Sequence, residues 1–540
     1  MGRTVVLYPG PGIGHLVPMV ELAKVFLQHG VAVTVVLVQP PLEAFDLSSS
    51  VARFAAANPS VNFHVLPPPP PAGSGSGGDD TSARPIVRMF GLLDAMNTPL
   101  RDFLRSLPSV HALVIDMFCT TALGVASELR LPAYVFFSSA ASDLAVFLHL
   151  PSTRDSIKIS LGEPGDSVVH FPGVPPFKAS DIPSEILHDD EASRVILSTF
   201  QDLLDSTGVL VNTFESLETR ALRALKDGLC VTGRATPPVY CVGPLVSGGG
   251  GDEKDHEYLR WLDAQPDKSV VFLSFGSLGA FSKKQVEEIA IGLQSSEQRF
   301  LWVVRNPRND EKNLAEPLAE PDLDALLPAG FTESTKGRGL VVKLWAPQVE
   351  VLRHRATGAF MTHCGWNSSL EGITAGLPLL CWPLYAEQRL NKVFLVEEMK
   401  LGVEMRGYDG ELVNAEEVEA KVRWVMESED CQALRQRAIA MKDAAVEALR
   451  EGGSSHAAFV KFLEDLQSYV DSVSRPTGRG RSTACNVINL NMDVNDLDIG
   501  LDAITQAFWM IYRRGTSIVC MRRPKEGRPT YKKGLDRKRY

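Results

Sequence analysis

The densest set of groups able to hold a charged, hydroxyl-rich ligand lies in the 44 residues from Trp345 to Gln388. Asn367 and Glu371 are four apart there, so a helix puts both on one face. An amide near a helix start can donate to a phosphate. A carboxylate one turn later can accept from two ribose hydroxyls. The helix start adds free N–H groups and the positive end of a dipole. Trp345, at the mouth of the preceding strand, can stack on a base; taken singly, Trp345 and Trp366 read as core packing. A second set lies far away in sequence. His15 follows a glycine turn, Gly10-x-Gly12-x-Gly14, and Asp116 closes the apolar run HALVI. A histidine that opens a helix can move protons, cap the helix or simply fill a core. An acid at a strand end can pair with it or cap the next helix.

These residues need strand-to-helix turns to position them. Residues 341–345 and 358–362 read as buried strands, and Pro347 opens a short helix. The run from His363 through Ser368 leads into a helix to Ala375, stopped by Gly376-Leu377-Pro378. At the other end, 3–8 is a strand. A helix follows from His15, with apolar positions 16, 19, 20, 23, 26 and 27, and Gly30 ends it. Residues 31–38 are the next strand, so the chain opens on a Rossmann-type unit. It lacks the third glycine of a dinucleotide fingerprint, and its second strand ends at Gln39-Pro40 without an acid, so an NAD-dependent oxidoreductase is disfavoured.

Further strands are expected at 111–115, 133–137, 208–212, 239–242, 269–274 and 300–304. Helices are expected at 85–106, from Ser138-Ser139 to Leu150, 191–203, 214–226, 283–295, 413–427, 431–450 and 455–470. Ser282 and Gln285 suit a capping box. Gly276 and Ser277 form either a simple turn or a phosphate contact. The segment 151–200 is otherwise irregular, and the stretches 66–81 and 305–328 read as surface loops. The pattern is α/β, in two doubly wound domains. Residues 1–245 form the first, 246–256 a Gly/Asp-rich linker, and 257–454 the second. A last helix, 455–470, precedes an atypical tail, 471–540, expected to be disordered.

Composition narrows the function. The chain of 540 residues is too long for one core. Its eight cysteines form no C-x-x-C pair and suit reduced core positions. No apolar run reaches membrane-spanning length, and the first residues hold no secretory core, so a cytosolic protein without stable membrane insertion is expected. The net charge of −10 argues against nucleic-acid binding. The charge is uneven: Asp471–Tyr540 has 14 Lys/Arg against 7 Asp/Glu, a surplus of +7, which leaves −17 on the rest. No His/Cys/Asp cluster has metal-ligand spacing. The tail reads as a basic appendage or as a fusion of unrelated sequence; the second is favoured because the tail adds no motif.

In residue types, order and length, Trp345–Gln388 resembles the signature box of plant family 1 UDP-glycosyltransferases. The resemblance extends to PGPGIGHLVPM around His15 and to VIDMFC around Asp116, and ends near Tyr469. It implies the GT-B fold: two facing Rossmann-like domains with a cleft between them, the last helix crossing back to the first. It implies an inverting transfer from a UDP-sugar, with His15 as base and Asp116 as its partner. UDP-sugar contacts then fall on Ser277, Trp345, Ala346, Gln348, His363, Trp366, Asn367, Ser368, Glu371, Glu387 and Gln388. Gln388 and Trp366 are similar to the glucose-using form, although Glu387 stands where Asp is commoner. The stretch WLDAQPDKSVVFLSFGSLGAFSKKQ is similar to that of members acting on flavonoids and other phenolics, with Met117 and Phe118 lining the acceptor site. No cofactor, only the UDP-sugar co-substrate, and a monomer are expected. The competing readings are a non-catalytic nucleotide-sugar binding protein and a transferase of another UDP-sugar. UDP at a hundred times its dissociation constant should add about 2.7 kcal/mol to the folded state. A melting scan should therefore move upward with UDP and stay in place with NAD.

Overall fold

The computed structural model describes residues 4–38, 55–69, 85–161, 167–188, 190–247, 257–307 and 320–474. The tail beyond 474, most of the linker (248–256) and parts of the expected loops (70–84, 308–319) lie outside the described residues.

The first sheet takes strands β1 (Thr4–Tyr8), β2 (Ala32–Val38), β3 (Asn62–Leu66), β4 (Ala112–Asp116) and β5 (Ala133–Phe137). A small antiparallel pair, β6 (Val168–Val169) and β7 (Phe177–Lys178), lies apart from it. Strands β8 (Gly208–Val211) and β9 (Val239–Cys241) complete the sheet. The order is β3-β2-β1-β4-β5-β8-β9, with every pair parallel. The second sheet takes β10 (Val270–Ser274), β11 (Arg299–Val304), β12 (Gly339–Lys343), β13 (Thr357–Thr362), β14 (Leu379–Cys381) and β15 (Gly402–Glu404). Its order is β12-β11-β10-β13-β14-β15, again parallel throughout.

Parallel strands covered on both faces must be apolar on both, which is why VVLY and VVFL read as unbroken runs. Val5 and Leu7 face one core, Val6 and Tyr8 the other, by the period of two. The first core includes helix α1 (Ile13–Gln28) and the last helix, Ser454–Ser474. Phe459 packs on Phe26 at 5.0 Å between ring centroids, and Phe462 on Tyr134 at 4.7 Å. The second core runs under helix α2 (Ala141–Leu161) and continues into the second domain.

In each sheet the chain moves outward over three strands and then returns to the other side of the starting strand. The reversal lies between β1 and β4 in the first sheet and between β10 and β13 in the second. Connections leave to opposite faces at such a point and open a crevice at the strands' carboxyl ends. His15 and Asp116 flank one crevice; Gly276 and His363 flank the other.

Several local expectations change. The helical stretch 85–106 is two helices, Pro85–Ala95 and Asn97–Ser106. The helix expected from 214 starts at Thr219. The helix α2 runs on to Leu161, into the segment expected to be irregular. Ser282 caps its helix, accepting from Gln285 N–H at 3.2 Å. The Gln285 side chain does not reach back, however. It exchanges two hydrogen bonds with the Val413 backbone, at 2.8 and 2.9 Å.

The domains are pinned by Trp366, whose indole N–H donates to the Asn212 carbonyl at 2.7 Å inside the core. Trp366→Phe keeps an aromatic ring but removes the rest of the indole with its N–H, which leaves that carbonyl buried and unpaired. We expect a loss of about 1–3 kcal/mol, read from the urea midpoint.

Candidate functional site

Strand β1 delivers the chain to Pro9-Gly10-Pro11-Gly12, and α1 begins at Ile13. A side chain on residue 10 would place its Cβ 2.3 Å from Asp116 Oδ1, so glycine there lets the carboxylate lie against the turn. Asp116, at the end of β4, is fully buried. Its Oδ1 accepts from the Phe118 N–H at 3.0 Å, and its Oδ2 lies 2.8 Å from His15 Nδ1. A carboxylate there holds Nδ1 protonated and leaves the Nε2 lone pair for other work. The Phe118 ring packs 4.9 Å from the imidazole, and Ser138 Oγ is 3.4 Å from Nδ1. Burial pulls the His15 pKa down. The charge and hydrogen bond of Asp116, with the charge of Glu387, outweigh it, and the net shift is upward. Met117, between Asp116 and Phe118, is 7% exposed and packs in the core that runs under α2.

On the other side, β10 ends in Phe275-Gly276-Ser277. Gly276 has φ +74°, and a Cβ there would come within 2.4 Å of His363 Nε2; a Cβ on Gly365 would come within 2.5 Å. The His363 ring is thus seated between two glycines, with Nδ1 buried and without a partner. Burial first, and the Arg305 charge second, lower its pKa to about 3, so it is neutral at pH 7. Arg305 itself donates to the Gly276 carbonyl. Ser277 follows in the same turn, half-buried.

Helix α3 (Trp366–Ala375) starts just past β13. Gln348 donates to Ser368 Oγ at 2.8 Å and to Glu371 Oε2 at 2.6 Å, joining three of the expected residues. Burial raises the Glu371 pKa to about 7, against the opposing bond from Gln348. Ala346 is buried, whereas Trp345 is 41% exposed at the rim. Asn367 reaches across to the first domain, donating to the Gly14 carbonyl at 2.7 Å. Glu387 stands at the start of helix α4 (Gln388–Val393), with Ser139 Oγ 3.4 Å away. Gln388 is buried; its Oε1 accepts from the Leu384 and Tyr385 N–H groups at 2.9 and 3.0 Å. Only its NH2 end is left for a ligand.

The Trp366 side chain is 3% exposed and its indole N–H is spent on Asn212, so the group of Trp366 that can face a ligand is its backbone N–H, the first of α3. The indole joins the domains. Sequence reasoning also passed over Ser138, Ser139 and Asp143 at the end of β5 and the start of α2. Ser139 donates to Asp143 at 2.7 Å, and Asp143 and Glu387 both have raised pKa values, chiefly through burial. The paired serines after the strand AYVFF were the only available signal. Among the described residues, no group of three or more His, Cys, Asp or Glu could hold a metal ion. None of their helices is long and apolar enough to cross a membrane.

Comparison with known proteins bears on this geometry. Residues 246–430 match the family described as UDP-glucoronosyl and UDP-glucosyl transferase. Anthocyanidin 5,3-O-glucosyltransferase of a Rosa hybrid cultivar is 43% identical, across 86% of this chain and 98% of that one. Phloretin 2'-O-glucosyltransferase of Pyrus communis is 40% identical, across 86% of this chain and 100% of its own. The solved structure of Phytolacca americana UGT2, complexed with UDP-2fluoro-glucose and pterostilbene, superposes with a TM-score of 0.74 at 33% identity. It covers 86% of this chain and 100% of that one.

The opposite shifts of the two histidines can be measured directly. By NMR titration His15 should have its midpoint above the ordinary value of about 6.5. In Asp116→Asn the opposing charge is lost while burial remains, so that midpoint should fall below it. His363 should show no transition down to the acid limit of the fold.

Proposed function

The chain belongs to the plant family 1 UDP-glycosyltransferases, enzymes of GT-B fold, and we propose that it transfers glucose from UDP-glucose to a hydroxyl of a small phenolic, flavonoid-like acceptor, with inversion. The observation that carries this reading is the His15–Asp116 pair at 2.8 Å, opposite the start of α3 and joined to it through Asn367 and Gly14.

His15 Nε2 takes the proton from the acceptor hydroxyl as its oxygen forms a bond to the anomeric carbon. The bond from that carbon to the UDP oxygen breaks, and UDP leaves from the opposite face. Asp116 holds the imidazole in one tautomer and stabilises the imidazolium. Asn367, Ser368, the Gly276-Ser277 turn and the first N–H groups of α3 receive the diphosphate charge. His363, being neutral, contributes as a hydrogen-bonding group rather than a cation. Trp345 stacks on the uracil, Ala346 and Gln348 border the nucleoside, and Glu371 accepts from the ribose. Glu387 and Gln388 hold sugar hydroxyls, and Phe118, beside the imidazole, borders the acceptor with Met117. The relatives support the choice of sugar and acceptor: the Rosa and Pyrus proteins are named as glucosyltransferases of an anthocyanidin and of phloretin. The UDP-sugar is the only co-substrate in this scheme, and the enzyme acts as a cytosolic monomer.

Purified protein with UDP-glucose and a panel of phenolics should form glucoside, and His15→Ala should lower the rate about 10²–10⁴-fold. Because the His15 pKa is raised and the base form is the neutral one, the rate should fall as pH drops through a midpoint above about 6.5. Undiminished product from His15→Ala overturns the base assignment. Binding of UDP without product from any acceptor points to a binding protein instead.

A further inference from the structure

Helix α1 carries Pro18 at its sixth position. A proline nitrogen has no hydrogen, so the carbonyl four residues back is left without its intrahelical donor. That carbonyl belongs to Gly14, the residue before His15. It is also the carbonyl to which Asn367 Nδ2 donates, at 2.7 Å from the opposite domain. The carbonyl two residues back, that of Gly12, is satisfied within the turn by the N–H groups of His15 and Leu16, at 3.2 and 3.1 Å.

We infer that Pro18 is a positioning residue: by withholding an N–H it keeps the Gly14 carbonyl available to Asn367, which clasps the start of the His15 helix to the donor-binding helix α3. The amide nitrogen of Asn367 carries two hydrogens. Gly14 takes one, and the second is left for a phosphate oxygen. The amide oxygen is buried and accepts nothing. A carbonyl can pair only with the NH2 end, so the clasp also sets which way the amide points. One side chain thus links the base's helix to the leaving group, and this part of the inference rests on the proposed role of Asn367 at the diphosphate. A proline that only packs would act through its ring; this one acts through the hydrogen it lacks.

The test separates ring from hydrogen. Pro18→Ala restores the N–H and gives Gly14 an intrahelical donor that competes with Asn367. Its kcat should fall about three- to tenfold, the worth of one hydrogen bond, while the UDP dissociation constant measured by calorimetry stays within about twofold. Placing lactic acid at position 18 by nonsense suppression gives the alanine side chain on an ester oxygen, again without an N–H. That variant should regain most of the lost kcat. An unchanged kcat in Pro18→Ala, or an ester variant as slow as the alanine one, overturns the inference. Asn367→Ala tests the underlying role separately. It should weaken UDP binding; unchanged affinity would refute the diphosphate assignment, and the alanine–ester comparison would still decide the clasp.

Discussion

Four of the hydrogen bonds that join the two halves of the chain end on main-chain carbonyls. Trp366, Asn367, Arg389 and Ser455, all in the second half, donate side-chain hydrogens to the carbonyls of Asn212, Gly14, Ser180 and Gly243 in the first. Asn212 and Gly243 lie just past strands of the first sheet, where parallel pairing stops and carbonyl oxygens point out of the ladder. Gly14 lies in the first turn of α1, where Pro18 supplies no N–H. A buried carbonyl without a donor is costly, so these carbonyls require a covering surface that supplies hydrogens. The second domain supplies them, and the cleft that results places the His15–Asp116 pair opposite α3.

Electrostatics within the cleft follow from what stands beside each group. His15 and His363 have the same side chain and both are shielded from water. Asp116 raises one and Arg305 helps to lower the other. One imidazole can therefore exchange a proton near neutral pH, while the other stays neutral beside the turn. Among the carboxylates, Glu371, Glu387 and Asp143 are all raised, with burial as the chief cause. Ligand hydroxyls that donate to them would replace part of the lost hydration.

Much of this was legible because it is local. Apolar runs marked the central strands, glycine and proline marked the turns, and the spacing of Asn367 and Glu371 follows from one helix. What escaped depends on partners far away in sequence. The strand β3, NFHVL, alternates over too few residues to stand out beside the unbroken apolar runs; β2 offers it an edge, and Phe103 stacks on His64 at 4.0 Å. Gln285 looked like a capping residue, yet Val413 binds both ends of its amide. Trp366 sits inside a ligand-binding signature, and nothing near it in sequence reveals the Asn212 carbonyl 154 residues away. His15 and Asp116 could be paired in advance only through a resemblance, since 101 residues separate them.

The acceptors in these four bonds are main-chain atoms, which has an evolutionary consequence. Main-chain carbonyls are present whatever residue occupies the position. Substitutions in the first half can alter the walls around an acceptor molecule without deleting these particular bonds, provided the strand ends keep their course. The half that faces chemically diverse acceptors is thereby free to diverge, while the half that supplies the donors is constrained residue by residue. A lineage built this way can change what it modifies faster than it changes how its domains stay together.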